Sequence, residues 1–259
     1  HLNTKSQTDL ELAKILEGIL RESDYAFNTL EQQALRQLRN WDGDYNVESV
    51  GASVFHVLKH SLTEMAFQDK MNPEQLDQYM HLHWMRRGIP ELIKDADHYI
   101  WDNSDTPEVE TLRNHTDQAF ISAVQALSDV HSPNPDKWQW GMVHTLEFNH
   151  PMASGGALLK KIYNRGPYPS PGANETIMQG GFVSHEKGSY NTHFGPQMRI
   201  IIDFNDPESS WSITPSGQSA RRQSPHYDDQ MEMYLNGLWR PQHMNMSFKS
   251  EYNKMTLSP

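Results

Sequence analysis

The chain has 259 residues, with 22 Lys and Arg against 33 Asp and Glu, a formal charge of −11, and no cysteine. An acidic balance excludes the basic face that phosphates require, so nucleic acid is not an expected partner, and no run approaches the ~18 apolar residues of a membrane span. Without cysteine there is no thiol nucleophile, thiolate zinc site or disulfide framework, and 36% hydrophobic residues with seven Trp suit a packed core.

The first half reads as helices. Thr8-Asp9-Leu10-Glu11 has capping-box spacing, and Leu12, Leu16, Ile19 and Leu20 follow at helical intervals. Leu30, Ala34, Leu35, Leu38 and Trp41 form a second face, closed by the turn-prone Asp42-Gly43-Asp44. Val50, Val54, Val57, Leu58, Leu62 and Met65 form a third stripe. Asn72-Pro73-Glu74 and Thr106-Pro107-Glu108 each set a cap residue before a first-position Pro, with an acid where the helix dipole favours one. Behind them run Leu76, Tyr79, Met80 and Trp84, then Val109, Leu112, Ala119, Phe120, Val124 and Leu127. Ser132-Pro133-Asn134-Pro135 stops any helix.

Beyond that stop the period changes. Residues 143–148 alternate as a strand, and 198–204 hold three consecutive isoleucines, the pattern of a strand buried on both faces. Residues 211–214 form a hairpin partner to it through Asn205-Asp206-Pro207. A Gly/Pro-rich stretch spans 164–181, and a last helix is predicted from Ser224-Pro225 to about Asn236-Gly237. The fold class expected is α+β: a helical segment over 1–131, then a strand-rich segment over 136–259 with a late helix.

Generic catalytic motifs are absent. Gly217-Gln218-Ser219-Ala220-Arg221 lacks the second glycine of a nucleophile elbow, and no GxxxxGK[ST], GxGxxG or HExxH occurs. His56 and His60 stand four apart on one helical face, but two ligands without a third read as ordinary helix surface. His81 and His83, two apart, point to different faces. No metal is assigned. His226-Tyr227-Asp228-Asp229-Gln230 reads as a helix start capped by Ser224 ahead of an acid/base cluster. Ser219 beside His226 would make a nucleophile and base, yet no oxyanion loop or orienting acid accompanies them. Glu175, in Gly172-Ala173-Asn174-Glu175-Thr176, is either an orienting acid near an active site or a solvated turn residue. Trp138 and Trp140 are expected to pack the junction between the halves as core.

Six elements in order resemble the penicillin amidase family. They are Trp41-Asp42-Gly43, then Trp140-Gly141-x-x-His144 with Phe148-x-His150-Pro151, then Asn164-Arg165-Gly166-Pro167-Tyr168-Pro169. Gly172-Ala173-Asn174-Glu175-Thr176, Gly195-Pro196-x-Met198-Arg199 and Gly217-Gln218-Ser219 with Ser224-Pro225-His226-Tyr227-Asp228-Asp229-Gln230 complete the set. Ala220 stands where a glycine usually follows, and Arg221-Arg222 replaces a more neutral turn. The resemblance implies an N-terminal-nucleophile amidohydrolase with an αββα sandwich, made as a periplasmic precursor that cleaves itself into α and β chains. The N-terminal Ser of the β chain attacks an acyl amide to give an acyl-enzyme, its own amino group acting as base. No cofactor is implied.

This chain resembles the C-terminal part of such a β chain. Residue 1 is His, so the resemblance places the nucleophile outside the chain, together with the oxyanion contacts, calcium ligands and acyl-pocket aromatics. Gln7-x-Asp9 with Leu12-Ala13 resembles the helix after the oxyanion Asn. Glu175 is the one residue carried over, matching the cephalosporin branch's Glu that orients a His. The partners implied are the N-terminal part of the same β chain, the α chain and a small acyl-amide substrate. The chain alone is expected to be inactive, with its strand edges inviting self-association unless covered. A non-catalytic binding or scaffold module keeping the fold is the alternative.

Overall fold

A computed structural model of the chain describes residues 2–182, 187–192 and 194–242, and over 83–86 the helix path alone. Two compact units divide after Gly195, the first being Leu2–Gly195.

The first unit opens with α1, Gln7–Arg21, whose cap is Ser6 rather than Thr8. The Ser6 hydroxyl accepts from the Asp9 amide, which makes Asp9 the third helical residue and turns its side chain into the core. α2, Thr29–Asn40, carries a full capping box between Asn28 and Glu31. α3, Val50–Phe67, is the centre: residues 51–63 are buried without a break, as a helix covered on all sides must be. The stretch read as one helix from Leu76 to Trp84 is two, α4 (Pro73–His81) and α5 (His83–Lys94), with Leu82 extended between them. α6, Leu112–Val130, packs along α3 and starts later than the Thr106-Pro107 signal. Thr106 instead donates to the Glu110 carboxylate, which also takes the Asn103 amide, and this local network holds a loop where a first turn was expected.

A single turn, α7 (Trp140–Val143), runs straight into β1, His144–Phe148. β1 is the centre of a three-stranded sheet. β2 (Arg165–Pro169), reached through α8 (Ala157–Tyr163), pairs antiparallel on one side, and β3 (Tyr190–Thr192) pairs parallel on the other. The helix-to-strand change near residue 132 therefore lies inside the first unit.

The second unit, from Pro196, contains a second sheet, wholly antiparallel. Its order is β4 (Arg199–Ile201), β5 (Ser210–Ile213) and β6 (Arg240–Gln242). The hairpin between β4 and β5 is as predicted, Ile200 facing Ser212. Burial of the isoleucines is not: Ile200, Ile201 and Ile202 are each about half exposed, β4 being an edge strand among the described residues. The late helix α9, Met231–Leu235, ends where expected but begins after 225–230, which fold as turns around the Ser224 hydroxyl. The α+β order, helices first and small sheets later, is the one read from the sequence.

Candidate functional site

The first unit buries several polar and charged side chains beside its aromatic core. Asp9 Oδ1 accepts from Lys59 Nζ at 2.8 Å, and Asp9 Oδ2 accepts from the Tyr45 hydroxyl at 2.7 Å, all three groups being buried. Burial, and then the Asp9 and Glu175 carboxylates, push the Tyr45 phenol up, so Tyr45 is a pure donor to Asp9.

Tyr45 also carries the Glu175 turn. Its carbonyl accepts from the Gly172 amide and its amide donates to the Thr4 carbonyl, while Met178 N donates to Asn3 O. Trp140 Nε1 donates to the Gly172 carbonyl at 2.8 Å. Asn174 bonds the Phe182 backbone in both directions, and the Thr176 hydroxyl takes the Ala173 amide. The turn is thus fixed at both ends and Glu175 stands exposed at its tip. Its side chain makes no hydrogen bond or ion pair with other described residues. Gly172 has φ +84°, and a Cβ there would meet the Met178 carbonyl oxygen at 1.9 Å. Gly172→Ala is therefore expected to destabilise the first unit by about 3 kcal/mol, from the positive φ and the backbone collision together. Urea unfolding of the two proteins measures it, and equal midpoints would show that the turn is not held as described.

Beneath the turn lies His144, at the start of β1. Its Nδ1 is 2.7 Å from the Ser170 carbonyl, and its Nε2 is 2.8 Å from the Thr192 hydroxyl and 3.3 Å from the Gly180 carbonyl; the closer carbonyl assigns the proton to Nδ1, with the Thr192 hydroxyl donating to Nε2. Burial draws this imidazole down to about 4 despite its carbonyl partners, so it is neutral at pH 7. The ring stacks on Trp140 with centroids 4.9 Å apart. His56, Phe182 and Tyr190 complete the stack, His56 meeting both others edge-on at 4.9 Å. The Tyr190 hydroxyl meets His60 Nδ1 at 3.0 Å, His60 Nε2 lies 3.5 Å from Glu64, and Glu64 binds Lys187. Burial raises the Glu64 carboxyl, but His60 and Lys187 outweigh it and bring it down to about 2.

His56 and His60 are accordingly not helix surface. Both are buried because α3 is enclosed on every side, and they face aromatic rings. Among the described residues no three His, Asp or Glu side chains gather to hold an ion. Trp138 and Trp140 are core, as predicted.

Ser219 and His226 share a backbone bond, Ser219 N to His226 O. Their side chains are engaged elsewhere, the hydroxyl with the Arg221 amide and the imidazole with Asp229 at 2.9 Å. Thr192 and His144 do form a hydroxyl–imidazole pair, but both are buried, out of reach of a substrate. The buried Lys59–Asp9 pair escaped sequence reading, although Lys59 inside an apolar stripe was a signal for it; His144 was read only as part of the Trp140-Gly141-x-x-His144 motif, with no role assigned.

Residues 1–247 match the family model of penicillin amidase, and the chain belongs to that family. It is 25% identical over 251 residues to the acyl-homoserine lactone acylase QuiP of Pseudomonas aeruginosa, covering 88% of this chain and 29% of that protein. Similarity to QuiP of Pseudomonas fluorescens strain Pf0-1 is 24% over 238 residues, 88% of this chain and 28% of the other. The fold matches a thermostable penicillin G acylase from Alcaligenes faecalis with a TM-score of 0.55 and 14% identity, covering 99% of this chain and 48% of that one. The chain thus spans less than a third of the curated relatives it matches. No described helix is long and apolar enough to cross a membrane.

Proposed function

We propose that the chain is the C-terminal portion of a periplasmic acylase whose N-terminal Ser, supplied by polypeptide outside these 259 residues, cleaves an acyl amide. That Ser hydroxyl adds to the amide carbonyl, its proton passes to the amine that leaves, and water then releases the acid from the acyl-enzyme. Small acyl amides, acyl-homoserine lactones among them, are the proposed substrates, and the rest of the β chain and the α chain the partners. One observation supports the division of labour best. Thr192 and His144 pair in the core, and the Ser219 hydroxyl and His226 imidazole each bond another group. Family membership across nearly the whole chain supports the amide chemistry.

Within that enzyme Glu175 is proposed as a positioning residue for a base near the nucleophile. It has the exposure for such a role and a turn fixed by Tyr45, Trp140 and Asn3. The test compares the 259-residue chain with the complete gene product on acyl-homoserine lactones and phenylacetyl amides. Turnover by the complete product alone is expected, and turnover by this chain alone overturns the reading. In the complete enzyme Glu175→Gln should lower kcat roughly 10–100-fold and flatten one limb of the pH profile with KM little changed. An unaltered profile would make Glu175 a solvated turn residue.

A further inference from the structure

Glu175 is placed by its backbone, so whatever holds its loop decides where the carboxylate stands. Of residues 170–180 only Glu175 and Ile177 are exposed, and the others are buried or half-buried. Tyr45, Trp140 and Asn3 hold the loop between its ends. The two ends themselves meet on one side chain, that of His144, which opens the central strand β1.

At the first end the link is double. Ser170 N donates to the His144 carbonyl at 3.1 Å, and Nδ1 of the ring donates to the Ser170 carbonyl at 2.7 Å. At the second end the contact is steric. A Cβ on Gly180 would meet the imidazole Cε1 at 2.6 Å and Nε2 at 2.9 Å, so the backbone lies closer to the ring than a residue with a side chain allows. The Gly180 carbonyl stands 3.3 Å from Nε2, and Gly180 N closes the loop on the Ala173 carbonyl.

The ring that meets both ends is itself fixed. It is fully buried and stacked on Trp140, and the Thr192 hydroxyl at the end of β3 donates to Nε2 at 2.8 Å. Turning the imidazole would break the Ser170 and Thr192 bonds together. Filling the core requires only the volume of a ring; the two polar atoms add a set orientation, which a clamp needs and a filler does not.

We infer that His144 is a positioning residue for Glu175: by holding both ends of the 170–180 loop it sets where the carboxylate stands in the complete enzyme. This rests on the proposed role of Glu175 and extends that role into the core. The imidazole is buried and touches no substrate. It acts on turnover, because a displacement of about 1 Å in a group that orients the chemistry is enough to cost much of its effect.

The test uses the complete gene product, with kcat and KM measured on a phenylacetyl amide and an acyl-homoserine lactone per folded molecule. His144→Phe keeps a ring against Trp140 but has no donor for Ser170, and should lower kcat roughly 10-fold with KM within about twofold of wild type. His144→Asn, whose amide nitrogen reaches the place of Nδ1, should restore part of kcat although it fills the core less well. A histidine that served only as packing would give the reverse order, with Phe the better replacement. Combined with Glu175→Gln, His144→Phe should add little, since the loop's position no longer matters once the carboxylate is gone. Gly180→Ala presses on the ring from the loop side and should show the same loss of kcat, and it decides the matter if His144→Phe does not fold. Unchanged kcat in these variants, Phe outperforming Asn, or losses that multiply with that of Glu175→Gln overturn the inference. The two readings fail separately. If Glu175→Gln alone leaves kcat and the pH profile unaltered, the role of Glu175 falls and this inference with it, whereas a Glu175→Gln loss that the His144 variants do not share removes the inference alone.

Discussion

Lys59→Met should destabilise the first unit by about 3–5 kcal/mol, because it leaves the Asp9 carboxylate buried with only the Tyr45 hydroxyl on its second oxygen. Asp9→Asn should fall in the same range, with the Lys59 ammonium now the stranded charge. Tyr45→Phe removes one hydrogen bond to a charged acceptor and is expected to lose about 2 kcal/mol. Asp9→Leu combined with Lys59→Met removes both charges together and should recover most of the loss of either alone, since an apolar pair of similar volume often replaces a buried ion pair without penalty. Guanidinium unfolding of the four variants measures the set. A Lys59→Met loss below about 1 kcal/mol would mean that water screens the pair as at a surface.

Acid should weaken the protein in a window set by His144. Its folded pKa is depressed to about 4 from an ordinary value of 6.5. Above about pH 6.5 the imidazole is neutral whether folded or unfolded, and its contribution to stability is constant. Between 6.5 and 4 the unfolded chain binds a proton that the folded chain refuses, so stability falls by about 1.4 kcal/mol per pH unit. Summed over the window this is on the order of 3 kcal/mol, and below pH 4 the loss levels off. Glu64 acts lower: its carboxyl, brought down to about 2, contributes stability above its ordinary value of 4.5 that is lost as pH falls through 2. Stability measured from pH 7 to 4 for the wild type and His144→Gln isolates the histidine. The variant starts less stable, having lost the stack on Trp140, but its slope in this window should be shallower by one proton. Identical slopes would mean that His144 takes up a proton in the folded state as readily as in the unfolded one.

Much of the fold was legible. Regular spacing of Leu12, Leu16 and Leu20, the Asn72-Pro73 cap and the Pro-rich stop after Val130 each mark a real boundary. The misses share a physical cause. Thr8, Thr106 and Pro225 carry good local capping chemistry, but at each a nearby group took the hydrogen bonds first: Ser6, the Glu110 loop and the Ser224 turn. Ile200 to Ile202 read as buried because composition reports hydrophobicity, not whether a neighbouring strand lies within the same chain. The Glu175 turn was visible as a motif, whereas its supports were not. Asn3, Tyr45, Trp140 and Phe182 reach it from four separate segments, and no local pattern encodes that convergence.

The clasp formed by residues 3–6 has a consequence for the order of assembly on the ribosome. Asn3 accepts from Met178, and Thr4 and Ser6 bond to Tyr45 and Gly43. At roughly 5–20 residues per second of synthesis, Met178 emerges about 10–35 s after Asn3. The clasp's nearer contacts close early, on the turn that follows α2, while the last waits until most of the first unit has been translated. A nascent chain stalled before Met178 emerges should leave the segment around Asn3 open to protease, and protection of the Met178 amide from deuterium in longer chains would date the completion of the unit.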